Sequence, residues 1–280
     1  MKIAIGCNFY QCRNELERLI KSIPKGFIDY FIGIDGIYRY VKEQYPELPD
    51  VSNDGSKQTM LHSDDFVSIW VEKTNCTEFE KRNKYLEICE QWKDDIDVLI
   101  IVDSDEFFIF PEGIKPKIAF SRFKQNLELA IEKHKDHNVH CIHTLNIHDD
   151  KLNSYKPRIW YKPGEMHYIY GSHYHYANII REKDTIDNFK LNNTCYCQHC
   201  PDVVKGVVLA HDHSLRSQTQ IEIHDKYVEY LKRFEGLIQT HKYSIDEAHK
   251  IASKGTSYDD VLRGQNITCL LYTSDAADEL

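Results

Sequence analysis

Val98-Leu99-Ile100-Ile101-Val102 is an unbroken apolar run that ends abruptly in Asp103-Ser104-Asp105-Glu106. A strand with no polar alternation is buried on both faces, and a largely parallel sheet with helices on both sides supplies that environment. Three more apolar segments precede it, at Ile3 to Gly6, Phe27 to Ile34 and Phe66 to Val71. Helix-period segments separate them. Leu16, Leu19, Ile20 and Ile23 form one apolar stripe on a helix that Pro24 and Gly26 end, and Thr77 to Trp92 carries Tyr85, Leu86, Cys89 and Trp92 on one side. The alternation predicts stacked βαβ units: an α/β fold with a central, mostly parallel sheet flanked by helices.

Residues 37–65 are rich in Asp, Pro, Ser and Gly with little periodicity, and read as a long excursion with a turn at Ser52-Asn53-Asp54-Gly55-Ser56. Beyond a Pro/Gly-rich stretch from Pro111 to Pro116, a helix near Phe123 to Lys133 leads into a strand from Val139 to Ile147. Val139, Cys141, His143, Leu145 and Ile147 share one face of that strand. Residues 156–211 read as short strands rich in His and Tyr, and Gln218 to Leu237 and a segment capped by Ser244-x-x-Glu247 read as helices.

Composition narrows the function classes. The 280 residues carry a net charge of −9, which disfavours general binding to phosphate backbones, so no nucleic-acid partner is expected. No uncharged apolar run approaches the roughly 18 residues of a membrane span. Nine cysteines, an odd and scattered set, suit a reducing compartment better than a disulfide framework. The amino terminus lacks the long apolar region of an export signal, and a cytoplasmic location is the expectation. Residues 269–280 resemble the translation of a transposase adapter used in short-read sequencing, as in an assembled environmental gene, and are set aside from fold reasoning. Without Asp275, Asp278 and Glu279 the chain remains acidic.

The acidic end of the buried strand is the most informative motif. Open α/β sheets bind ligands outside the carboxyl ends of their strands, and alternate carboxylates there can turn to a divalent cation that bridges a diphosphate. The competing reading is a solvated acidic turn.

In this context the chain resembles glycosyltransferases of the GT-A fold, the nucleotide-diphospho-sugar transferases, and among them the family-two-like group. In that group a short acidic motif, often followed by Glu, ends the fourth strand. Arg13-Asn14-Glu15 resembles the Asn-Glu that opens these proteins, Asp35-Gly36 the acidic end of their second strand, and Glu80-Lys81-Arg82-Asn83 their Arg-Asn helix. Lys156-Pro157-Arg158-Ile159-Trp160 and Gly171-Ser172-His173-Tyr174-His175 resemble their later Arg-containing strand and Gly-x-x-His segment. The resemblance covers roughly residues 1–230. The excursion after Asp35, and the lack of an acidic residue directly after His173 or His175, depart from the pattern.

The resemblance implies hexosyltransferase-like sugar transfer from a nucleotide diphospho-sugar to a carbohydrate or other hydroxyl acceptor, commonly with inversion, aided by Mn²⁺ or Mg²⁺. It implies a metal held by Asp105, with Asp103 near the metal or the ribose, Asp35 on the base or ribose, and Arg82 on phosphate. Asn14 and Glu15 join the donor site by the same likeness. Residues 1–110 would form the nucleotide-sugar half of the domain, 111–243 the acceptor half, and 244–268 a helical extension.

Outside that core, Gly206 to Ala210 run into His211, Asp212, His213 and Arg216, the arrangement expected of a further metal ligand, His211 or His213, and a diphosphate contact, Arg216. Cys195, Cys197 and Cys200, with His199 and the two later histidines, could instead close a tetrahedral zinc site. His167, Tyr168, Tyr170, His173, Tyr174, His175 and Tyr176 form an aromatic strip suited to sugar rings. An inverting transfer also needs a general base, for which His175, His173 and Glu106 are the candidates. Two alternatives stand beside the transferase: a nucleotidyltransferase of sugar phosphates, although Ile5 to Arg13 lacks its glycine-rich activating loop, and a non-catalytic, zinc-stabilised binding protein.

Overall fold

Strand β1 (Ile3–Phe9) is buried along its whole length, and its neighbour β4 (Val98–Asp103) is buried up to its last residue. The two sides of these strands feed different cores. Ile3, Ile5, Cys7, Val98, Ile100 and Val102 pack with Leu16 and Leu19 of α1 (Arg13–Ser22) and with Phe120 and Phe123 of α5 (Pro116–Lys133). Ala4, Leu99 and Ile101 face Tyr85, Leu86 and Cys89 of α4 (Glu78–Gln91) on the other side. The unbroken apolar run of β4 therefore belongs to a strand covered by helices on both faces, as expected.

The computed structural model describes residues 1–134, 138–147, 152–168, 176–178, 203–212, 214–241 and 243–254. The remaining strands are β2 (Tyr30–Asp35), β3 (Val67–Glu72), β5 (Glu106–Ile109), β6 (Val139–Asn146), β7 (Leu152–Tyr161), β8 (Met166–Tyr168), β9 (Tyr176–Asn178) and β10 (Val203–His211). Eight of the ten build one sheet in the order β3-β2-β1-β4-β7-β6-β10-β5, and β8 pairs with β9. The β3-β2-β1-β4 half is parallel, as is the β6-β10 pair, whereas β7 runs antiparallel to β4 and β6, and β5 antiparallel to β10. From β1 the chain moves outward through β2 and β3, then returns to place β4 on the other flank of β1. This reversal opens a crevice at the carboxyl ends of β1 and β4, the usual ligand site of an open α/β sheet. The register puts Asn8 beside Asp103 and Phe9 beside Asp35, so both acidic strand ends lie on that edge.

A third core joins the carboxyl-terminal helices α6 (Gln218–His241) and α7 (Ile245–Ala252) to α2 (Arg39–Gln44). Tyr40 stacks on Tyr230 with ring centroids 4.2 Å apart, Tyr38 stacks on Tyr227 at 4.8 Å, and Phe234 and Leu237 continue the contact. Each well-buried aromatic or leucine here contributes about 2–3 kcal/mol of transfer free energy. Thr77 and Ser244 cap α4 and α7 with reciprocal capping boxes through Glu80 and Glu247.

Two expectations shift. Residues 37–65 hold two short helices, α2 and α3 (Ser56–Leu61), each six residues long and so too short to display a helical period. Tyr40 and Met60 anchor them in separate cores. Helix α5 begins at Pro116, because proline at the first position of a helix gives up an amide the helix leaves unpaired anyway. On β6, His140, Ile142 and Thr144 of one face and Cys141 of the other are buried, whereas Val139, His143 and Leu145 are half-exposed. Among the described residues no helix is long and apolar enough to cross a membrane.

Candidate active site at the carboxyl end of β4

A chain of alternating charges runs beneath the crevice. Asp103, the last residue of β4, accepts from Arg82 Nη2 at Oδ1 (2.9 Å) and from Arg158 Nη2 at Oδ2 (2.7 Å). Arg158 Nη2 also donates to Glu106 Oε1 (2.9 Å), and Glu106 Oε2 accepts the Asp103 N–H (2.8 Å). On the far side Arg82 Nε donates to Glu78 Oε1 (2.8 Å), and the Tyr227 hydroxyl reaches Glu78 Oε2 (3.4 Å). Arg82, Arg158, Glu78 and Glu106 are all buried. Charges so placed are tolerable only when each meets a partner with good geometry, which explains the strict alternation of sign. Burial pushes the Glu106 carboxyl up, with Arg158 opposing and Asp103 reinforcing the shift.

Asp105, two residues on, is 2 % exposed and meets a separate set of partners. Its Oδ2 lies 3.0 Å from His211 Nε2 and is bonded by Arg216 Nη2. The antiparallel pairing of β5 and β10 creates this meeting, because it sets His211 directly across from Glu106. Burial would lower the His211 pKa, but the hydrogen bond and charge of Asp105 raise it. The loop after β10 is itself clamped. Arg18 of α1 binds the Asp212 carboxylate and carbonyl and sits 4.3 Å over the Phe107 ring. Although burial opposes ionisation of Asp212, the Ser214 N–H and hydroxyl together with Arg18 hold its pKa at about 2.

The donor set decides what ion this site could hold. Among the described residues no group of three or more His, Cys, Asp or Glu converges as a cage. Asp105 and His211 supply one oxygen and one nitrogen donor at a single point. A carboxylate and an imidazole are ligand types that Mg²⁺ or Mn²⁺ accepts alongside waters and substrate phosphate oxygens, and a cation here would take the place of the bonds that Asp105 Oδ2 receives from His211 and Arg216.

The other sequence-selected residues fall as follows. Glu15 is buried in the first turn of α1, its pKa raised by burial, with its own backbone and Arg216 acting against the rise and Asp105 adding to it. Asn14 is exposed. Asp35 is fully buried, and both its oxygens accept from Ser52, from the hydroxyl at 2.7 Å and from the N–H at 3.0 Å. Burial raises the Asp35 pKa, while the Ser52 bonds and Lys81 restrain it. Tyr168 packs inside the core on Trp160 and Tyr85. His173, His175, His213, Tyr170, Tyr174, Cys195, Cys197, His199, Cys200 and residues 269–280 lie outside the described residues.

Sequence reasoning did not select Glu78, Arg18, Ser52 or Lys81 for the site, nor give a role to Arg158. Arg158 carried a usable signal, a cation set directly before Ile159 and Trp160 within a strand. Lys81 carried another, a lysine on the apolar side of a helix. It is buried, and its ammonium donates to the carbonyls of Phe9 (2.8 Å) and Gly36 (2.7 Å). Burial lowers its pKa to about 8.

Fold and site together define an α/β protein whose acidic and cationic side chains meet at the carboxyl end of β4. No family model matches the chain, and no curated protein matches its sequence. Among solved structures, S. aureus TarS 1–349 superposes with a TM-score of 0.41 at 12% identity, covering 100% of this chain and 77% of that one. Glucosyl-3-phosphoglycerate synthase from Mycobacterium tuberculosis, in complex with phosphoglyceric acid, gives 0.30 at 13% identity over 52% of this chain and 44% of that one. The same synthase with Mn²⁺, uridine diphosphate and phosphoglyceric acid gives 0.30 at 12% identity, with 53% and 44% covered. At these scores the likeness carries no functional inference, which rests on the site alone.

Proposed function

We propose that the chain is a glycosyltransferase of the GT-A type that moves a sugar from a nucleotide diphospho-sugar to a hydroxyl acceptor. One observation carries the reading: Asp105, two residues beyond the carboxyl end of β4, meets both His211 and Arg216. A carboxylate, an imidazole and a guanidinium in one place suit a diphosphate and its counter-ion. Asp105 and His211 would hold Mn²⁺ or Mg²⁺, which supplies charge neutralisation to the leaving diphosphate.

The chain's own residues account for the remainder. Arg216 offers a planar fork of donors to the diphosphate, and the Arg18–Asp212 clamp holds the loop that carries it. Asp103 serves as the charge hub that sets Arg82 and Arg158 beneath the crevice. In transfer, the bond from the anomeric carbon to the diphosphate oxygen breaks as the bond to the acceptor oxygen forms, and the acceptor proton passes to a base. Both oxygens of Glu106 accept bonds, from Arg158 and the Asp103 N–H, which disfavours it as the base and supports His175, with His173 as substitute, in that role.

Release of nucleoside diphosphate from a panel of nucleotide sugars, with Mn²⁺ and a mixed-acceptor extract, tests the reading. The expected result is turnover of at least one donor and a loss of a hundredfold or more in Arg216→Ala, the scale of a removed electrostatic contact. Inert behaviour toward every donor, or full activity in Arg216→Ala, would overturn it.

A further inference from the structure

The excursion between β2 and β3 closes onto the turn between β1 and α1. Gln11 occupies that turn with φ of 50°, a left-handed conformation uncommon for a residue other than glycine. Two separate segments hold it there. From the excursion, Ser52 Oγ accepts the Gln11 N–H (2.8 Å), and Asn53 bonds the Gln11 side chain at Oδ1 (2.8 Å) and through its own N–H (3.4 Å). From α6, the Gln220 amide donates to the Gln11 carbonyl (2.6 Å).

Ser52 is in turn set by Asp35. The hydroxyl donates to one carboxylate oxygen and the N–H to the other, so Ser52 Oγ presents its lone pairs to Gln11. Asp35 has no exposed surface. Lys81 fixes the strand ends on either side, through the carbonyls of Phe9 and Gly36. A carboxylate at the place where such sheets bind nucleotides thus faces inward, toward the excursion.

We propose that Asp35 and Ser52 are positioning residues for donor binding: Asp35 acts through Ser52 to hold the Gln11 turn in its binding conformation, and does not itself touch the donor. The inference rests on the nucleotide-sugar reading of the crevice. It assigns a purpose to the excursion, which supplies the middle member of the relay, and to the strained backbone, which a ligand-facing turn keeps only when surrounding bonds over-determine it.

Calorimetric titration of uridine, guanosine, adenosine and cytidine diphosphates with Mn²⁺ into wild type, Ser52→Ala, Ser52→Thr, Asp35→Asn and the double variant Ser52→Ala/Asp35→Asn provides the test. The expected result is a loss of about tenfold in affinity in both Ser52→Ala and Asp35→Asn. The double variant should be no weaker than either single one, because both break one relay. Ser52→Thr, which keeps the hydroxyl, should restore affinity. A merely structural role would lower the melting temperature and leave the affinity of the folded protein unchanged. Wild-type affinity in Ser52→Ala overturns the relay, and with a loss in Asp35→Asn it returns Asp35 to direct donor contact. Should Asp35→Asn fail to fold, the Ala and Thr variants of Ser52 decide alone. If wild type binds none of the four nucleotides, the nucleotide-sugar reading itself falls and takes the relay with it.

Discussion

Asp103 and Glu106 share one guanidinium: Arg158 Nη2 lies 2.7 Å from Asp103 Oδ2 and 2.9 Å from Glu106 Oε1. The Asp103 N–H closes the loop on Glu106 Oε2 at 2.8 Å. These bonds fix the turn from β4 into β5. Because β5 pairs with β10, they also fix where Asp105 meets His211.

Replacing Arg158 by Met leaves two carboxylates under the sheet edge without their common cation. Breaking a buried pair from one side costs about 3–5 kcal/mol. Urea denaturation should show a loss of that size, with Arg158→Lys intermediate because an ammonium keeps the charge but not the guanidinium geometry. A midpoint unchanged in Arg158→Met would refute the hub.

Asp212 gives a pH signature. Its folded pKa is about 2 against an ordinary 3.8, so the unfolded chain binds the proton first as pH falls. Its contribution is complete above pH 3.8 and lost as pH falls through about 2. The stability difference between wild type and Asp212→Asn should shrink across that window. A difference that stays constant would show that Arg18 and Ser214 do not hold the carboxylate.

Lys81 titrates with the opposite consequence. Its folded pKa is about 8 and its ordinary value 10.5, so between these the unfolded chain keeps a proton the folded one has released. Unfolding free energy therefore rises with pH through that window. Relative to Lys81→Met, wild type should gain up to about 3 kcal/mol between pH 8 and pH 10.5. A flat difference would place the ammonium in a better-solvated setting than the Phe9 and Gly36 carbonyls provide.

The β4 run and the α1 stripe were legible because burial leaves a periodic apolar trace. The acidic strand end was legible because its position, more than its composition, is distinctive. Short helices at 39–44 and 56–61 left no trace, since six residues make fewer than two turns. The partners of the acidic residues were harder still. Arg82 and Asp103 are 21 positions apart, Arg158 and Asp103 are 55, and Arg216 and Asp105 are 111, and no local pattern encodes pairings that only the sheet order brings about. Asp35 shows the same limit in reverse. Its place at the end of β2 was readable from Asp35-Gly36, but the bond from Ser52 depends on how the excursion folds back.

His211 reports on its neighbour directly. Asp105 raises its pKa against the lowering effect of burial, so Asp105→Asn should let the imidazole titrate at a lower pH than in wild type. Two-dimensional NMR of the imidazole nitrogens checks this. An unshifted titration would separate the two side chains in solution and dissolve the donor pair.

A thermal-shift panel of nucleoside diphosphates, with and without Mn²⁺, on wild type and Asp105→Ala tests the account most directly. A ligand that binds only the folded state raises the melting temperature by mass action. Wild type should be stabilised by at least one nucleoside diphosphate, more strongly with Mn²⁺, and Asp105→Ala should lose the Mn²⁺-dependent part of the shift. No shift with any nucleotide, or an equal Mn²⁺-dependent shift in both proteins, would contradict a nucleotide-sugar site at the end of β4.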